Sequence, residues 1–183
     1  MAKLDWFLDG HPAIDLVNTV RRRKIEPVDL IATPGELAGW LAAAGLCARP
    51  AEVTQAHLRK IARLREAVHA LVSPDGHPEI TEADIAVINR CARQYTEPVL
   101  ALAADRVTVT VPTTDTATQA IATIARLAIA LVAGRARGHV KICGATDCGI
   151  RFLDTSPKRN RQWCSMAVCG NRAKAQRHYS RNR

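Results

Sequence analysis

Apolar residues recur at three- and four-residue steps along most of the first 135 residues. Leu37, Trp40, Leu41 and Ala44 make one stripe, Ile61, Leu64, Val68 and Leu71 a second, and Ile85, Ile88, Cys91 and Tyr95 a third. That spacing lines one face of an α-helix. Local chemistry marks the ends. Thr33-Pro34-Gly35-Glu36 offers a cap, a proline at the first helical position and a capping-box glutamate, and Gly45 supplies a stop. The second helix is predicted from Pro50 to about Val72, stopped by Ser73-Pro74-Asp75-Gly76. Thr81 and Asp84 cap the third, with Ile80 and Ile85 spaced as a hydrophobic staple. Ahead of them, Leu4–Leu8 reads as a strand or extended start, and Ala13–Val20 as a short helix with Ile14, Leu16 and Val17 for burial.

The period then changes. Val107, Val109 and Val111 alternate with Thr108 and Thr110, which predicts a strand. Val99–Ala103 pairs with it as a hairpin across Ala104-Asp105-Arg106. From a cap at Thr114 or Asp115, a helix runs to about Ala133. Its Ile121, Ile124, Leu127, Ala128, Leu131 and Val132 cover most of the circumference. Such a helix is the core of a domain or packs on a second chain, so a homodimer stays open. Its apolar run, Ala120–Ala133, contains Thr123 and Arg126 and falls short of the roughly 20 residues a membrane span needs. Gly134–Gly138 reads as a basic linker and His139–Ile142 as a strand. The fold class expected is α+β. Residues 1–138 form a mainly helical domain with a small β element, which folds by itself, and 139–183 form a small separate module.

That module holds four of the six cysteines, in two pairs, Cys143-x4-Cys148 and Cys164-x4-Cys169. Two short cysteine loops brought together by a hairpin supply the four soft ligands of a tetrahedral zinc site. Ile150–Leu153 reads as a strand, Asp154–Pro157 as a turn, Lys158–Arg161 as a basic tip, and Asn171–Arg181 as a helix. This is the order of a treble-clef finger, with the last ligand at the helix start, where the dipole favours thiolate. Phe152 and Trp163 are placed to form a mini-core beside the metal. The competing readings are four unrelated thiols, or two disulfides in a secreted protein. The start, Met1–Asp5, lacks a signal-peptide apolar region, so a reducing cytoplasm and one structural Zn2+ per chain are expected. Cys47 and Cys91 read as structural residues.

The run Trp163-Cys164-Ser165-Met166-Ala167-Val168-Cys169-Gly170-Asn171-Arg172 resembles the signature of the CGNR zinc-finger family, and Phe152-Leu153-Asp154 and Lys174 match it too. The resemblance implies zinc on Cys143, Cys148, Cys164 and Cys169 and a role in transcription regulation. Asp15–Thr19, extended by Pro34, Leu37, Trp40-Leu41 and Gly45-Leu46, resembles the opening of the ABATE domain, which is usually found ahead of such a finger. That implies a regulatory domain over residues 1 to about 135, with an unknown small-molecule effector.

Charge sharpens the picture. Residues 1–134 hold 14 Lys and Arg against 15 Asp and Glu, while 135–183 hold 12 against 2. Four thiolates and one Zn2+ bring the finger's +10 to +8. Concentrated positive charge on a small module suggests a polyanion partner. Lys158, Arg159 and Arg161 are expected to touch phosphates. Lys174, Arg177 and Arg181 share one helical face and are expected to read DNA. Arg172 either joins them or braces the finger against Asp154. The run Arg21–Lys24 is a solvated stretch or a second phosphate contact. The alternative is an adaptor binding an acidic protein through Met166, Val168 and Tyr179; RNA is a variant of the DNA reading. The six histidines are scattered, no hydrolase, deaminase or nucleotide-loop motif is present, and a four-cysteine zinc leaves no position for water. An enzyme is not expected.

Overall fold

A computed structural model describes residues 10–23, 25–47, 52–103, 105–113 and 115–181. In chain order these form α1 (Pro12–Val17), β1 (Val20–Arg21), β2 (Val28–Asp29), α2 (Pro34–Ala43), α3 (Gln55–Leu71), α4 (Glu82–Ala92), β3 (Val99–Ala103), β4 (Arg106–Thr110), α5 (Thr116–Ala133), β5 (Val140–Ile142), β6 (Arg151–Leu153) and α6 (Asn171–Arg181). The architecture is α+β, as expected. The strand expected over Leu4–Leu8 lies outside the described residues, as do Lys24, Pro50, Ala104 and Thr114.

Caps set the helix starts. Thr33 with Glu36, Thr54 with His57 and Thr81 with Asp84 all close capping boxes, and Asp115 accepts from the Thr118 N–H at 2.8 Å. The box at Thr54 corrects one expectation: α3 begins at Gln55, later than Pro50, because Thr54 and the His57 ring satisfy the free N–H groups there. Gly45, at φ +70°, closes α2: its N–H reaches Ala42 and that of Leu46 reaches Leu41. This paired closure needs a left-handed residue, which glycine takes without penalty.

α5 is the central element. Ala117, Ala120, Ile121, Ile124, Ala125, Ala128 and Leu131 are buried, and it packs against α1, α2, α3 and α4. By length and mean hydropathy, 18 residues at 1.5, it reaches the range of a membrane-crossing helix, longer than the sequence run suggested. Here 44% of that stretch is buried in the fold, where it packs against the other helices. Val132, expected to be buried, is 45% exposed. The β3–β4 hairpin forms in the expected place, with Leu100 opposite Val109 and Leu102 opposite Val107. Those four residues share one exposed face.

The β1–β2 pair was not foreseen, since two-residue strands carry no readable period. It is tied to α3 by Arg65, which is buried and grips Asp29 through two bonds of 2.6 and 2.8 Å. The expected linker is also held in place. Ala136–His139 is a 3-10 turn, and the Arg137 guanidinium donates to the Leu71 carbonyl at 2.6 Å.

β5 and β6 pair with Val140 opposite Leu153 and Ile142 opposite Arg151. Along β6 the side chains alternate between two cores. Ile150 and Phe152 belong to the cysteine cluster, whereas Leu153, with Val140, packs into the large helical core. The finger's first hairpin is therefore a wall shared by both halves of the chain.

Candidate metal centre and nucleic-acid interface

The metal site is assembled by two turns. β5 ends at Ile142; the next residue, Cys143, donates its N–H to the Ile150 carbonyl at 2.8 Å, and the chain reverses through Cys148 and Gly149, the latter at φ +69°. Gly144 ties this turn to the second one through Gln162 at 2.9 Å. Cys164 follows, and its N–H points at the Cys143 sulfur at 3.4 Å. One π-helical turn, Met166–Gly170, carries Cys169 to the start of α6. At Gly170 an added Cβ would press on the sulfur of the exposed Met166 side chain, which would have to swing aside.

All four Sγ atoms lie within 4.8 Å of one another. Zn–S bonds of about 2.3 Å in a tetrahedron place sulfurs about 3.8 Å apart. Cys148 to Cys164 and Cys164 to Cys169 are each 3.7 Å. The donor set and its spacing thus fit one structural zinc, with Ile150, Phe152 and Trp163 packed beside it as expected. Crowding sets Cys148, Cys164 and Cys169 apart from one another. Hydrogen bonding from Cys164 lowers Cys148 to about 5, its proximity pushes Cys164 up, and burial raises Cys169 to about 11. Zn2+ supplies the charge that lets all four be thiolates.

Around the metal, several expected contacts are rearranged. Arg172 pairs with Asp147 at 2.9 Å and donates to the Cys169 sulfur at 3.6 Å. It braces the finger, but not against Asp154. Asp154 is buried and instead organises the basic tip. It accepts from Lys141 at 2.7 Å, from the Ser156 hydroxyl at 2.6 Å and from the N–H groups of Ser156 and Arg161, both at 3.0 Å. The Lys141 ammonium and these donors hold its carboxyl far below the usual range. Lys141 also donates to the carbonyls of Arg159 and Arg161. Sequence reasoning counted Lys141 only as charge. Its side chain is spent inside the fold.

Arg161 lies elsewhere than at the outer face of the tip. Expected at the tip facing phosphate, its guanidinium lies 4.4 Å over the Phe152 ring and donates to the carbonyls of Trp163 and Cys164. It braces the second cysteine turn. Arg159 has a left-handed backbone at φ +47° and contacts the His139 ring, yet is exposed, as is Lys158. Lys174 is exposed on α6. Arg177 and Arg181 lie on the same helix, but their side chains lie outside the described residues. Met166, Val168 and Tyr179 are exposed at 51, 62 and 74%.

The finger docks on the helical half through polar contacts no motif announces. Asn18 bonds both backbone groups of Arg151, and the Arg151 guanidinium donates to the His69 ring. Burial, then the charges of Arg151 and Arg23, lower His69 to about 4. Burial and Arg23 lower Arg151 to about 10. Beside this junction a crevice of about 430 Å3 brings Arg21 and Arg22 close to Val168 and Arg172.

Residues 10–135 match the ABATE family, described as "Putative stress-induced transcription regulator", and residues 139–182 match the CGNR zinc finger. No curated protein matches the chain. With a matched region spanning more than half its length and a sulfur cluster dimensioned for zinc, the chain belongs to the ABATE family and ends in a CGNR zinc finger.

Proposed function

We propose that the protein is a transcription regulator whose zinc finger grips duplex DNA, while the N-terminal domain senses an effector or dimerises. One observation carries this reading. Both acids of the finger are consumed internally, Asp147 by Arg172 and Asp154 by Lys141. The outward groups at the tip and on α6 are then Lys158, Arg159 and Lys174, with Arg177 and Arg181 further along the helix. In this reading Lys158 and Arg159 bind phosphates, α6 lies along a groove, and Arg21 and Arg22 add backbone contacts beside the finger. Arg161 and Arg172 support the zinc turns.

The exposed Met166, Val168 and Tyr179 favour a second reading, an adaptor finger for an acidic protein. Selection from random duplex DNA with zinc-loaded protein separates the two. Enrichment of one motif, with a log–log salt slope of about −3.6 for four neutralised phosphates, is the result expected. Lys158→Ala with Arg159→Ala should weaken all sequences alike. Lys174→Ala, Arg177→Ala and Arg181→Ala together should remove sequence preference with zinc still bound. No affinity for DNA at about 50 mM salt would leave the adaptor reading standing, and preference for RNA would redirect the first.

A further inference from the structure

A second concentration of positive charge lies in the helical half. Between α3 and α4 lies an open crevice of about 260 Å3 whose charged lining is Arg59, Lys60, Arg63 and Arg90, the three arginines exposed at its rim. Its apolar lining is Ala56, Val87 and the buried Cys91. No carboxylate lines it among the described residues. Lys60 is satisfied by neutral groups, Gln94 at 3.0 Å and Thr118 at 3.4 Å.

Residues 1–134 are close to neutral, with 14 cationic against 15 acidic side chains. Several cations elsewhere in the domain find acids: Arg23 with Glu66, Arg65 with Asp29, Arg126 with Glu97. Here four cations converge and none of them has an acidic partner among the described residues. Arg59 and Arg63 are four residues apart on one helix, an arrangement that destabilises it through like-charge repulsion. An anion in the crevice removes that cost, and guanidinium groups bind oxyanions through paired, planar hydrogen bonds. Burial raises the Cys91 thiol, so the apolar side adds no opposing charge at neutral pH. The volume lies just below the usual range for ligand pockets, which selects a small ligand.

We propose that this crevice binds a small oxyanion, a phosphate or a short carboxylate, held by Arg59, Lys60, Arg63 and Arg90. Lys60 is nine residues, about 13 Å of helix, from His69, which touches the finger's Arg151. The site lies on the N-terminal half of the helix whose C-terminal end meets the finger. It does not depend on what the finger binds.

The test uses full-length, zinc-loaded protein and two weak zinc chelators, inorganic phosphate and succinate, against chloride at equal ionic strength. At ten times its Kd, an anion that binds only the folded chain should raise Tm by roughly 3–6 °C. The variant carrying Arg59→Gln, Arg63→Gln and Arg90→Gln should lose that shift, yet be at least as stable as the parent in chloride alone. Arg63→Gln by itself should lose part of it. Lys158→Gln with Arg159→Gln should keep it whole. A response to phosphate alone, or to succinate alone, identifies the ligand within the class. The proposal is overturned if neither anion stabilises the parent, if the pocket variant keeps the full shift, or if the finger variant loses it. It also fails if the pocket variant keeps the shift and loses DNA affinity several-fold, because the cluster is then a nucleic-acid contact.

Discussion

The side-chain amide of Asn18 pairs with both backbone groups of Arg151, donating to the carbonyl at 2.7 Å and accepting from the N–H at 2.9 Å. Asn18 closes α1 and lies 133 residues away in sequence. It takes the place of a neighbouring strand on the edge of β6 that β5 leaves unpaired. Replacing it by alanine strands a buried N–H and carbonyl. Asn18→Ala should cost about 1–3 kcal/mol, read as a lower urea midpoint of the zinc-loaded protein. Asn18→Asp keeps the acceptor and loses the donor, so it should be destabilised too.

Zinc removal should reach beyond the finger. Val140 and Leu153 stand in the helical core, and the same hairpin carries Phe152 beside the metal. Cys148→Ser should fail to retain one zinc per chain by metal analysis. It should also lower the main calorimetric transition, not merely melt a separate small one. A chain ending at Arg135 should still unfold cooperatively, but at a lower temperature. Losing the burial of Val140 alone is worth about 1.5–3 kcal/mol.

Arg172→Ala should act on the metal. Its guanidinium lies against the Cys169 sulfur and offsets the net negative charge of four thiolates on one Zn2+. Chelator competition should show zinc affinity weakened about 10–100-fold. Arg172→Lys should recover only part, since it cannot hold Asp147 and the sulfur in one planar group.

His69 sets a pH dependence. Its ring accepts from Arg151, so it is neutral in the folded protein, with a pKa near 4 against an ordinary 6.5. The unfolded chain binds the extra proton between those values. Stability is therefore complete above about pH 6.5 and falls as pH drops towards 4, by on the order of 2–3 kcal/mol in all. His69→Gln should flatten that part of the profile. Comparing variant with parent cancels the zinc release both undergo in acid.

What the sequence made legible was local. Thr33, Thr81 and Asp115 cap the helices they were expected to cap, because a cap needs only its own first turn. The four zinc ligands were readable because two short loops repeat one spacing. The junction was not, since Asn18, His69 and Arg151 meet only once α1, α3 and β6 are packed. Nor was the division of the basic charge. Lys141 and Arg161 look like Lys158 and Arg159 in a charge count, and only the buried Asp154 and the Phe152 ring separate them. The late start of α3 turned on His57 serving as a capping partner, a role usually read from Glu or Gln.

β6 faces zinc with every second side chain and the helices with the others, which restricts how its loops can change length. Adding or deleting one residue between Cys148 and Arg151 would rotate the strand by half a turn. Arg151 would then face the sulfur cluster and Phe152 the helical side. Changes of two residues preserve both faces. Related chains should therefore vary in this segment by even steps, so that loop length alone shows whether the two cores are still joined.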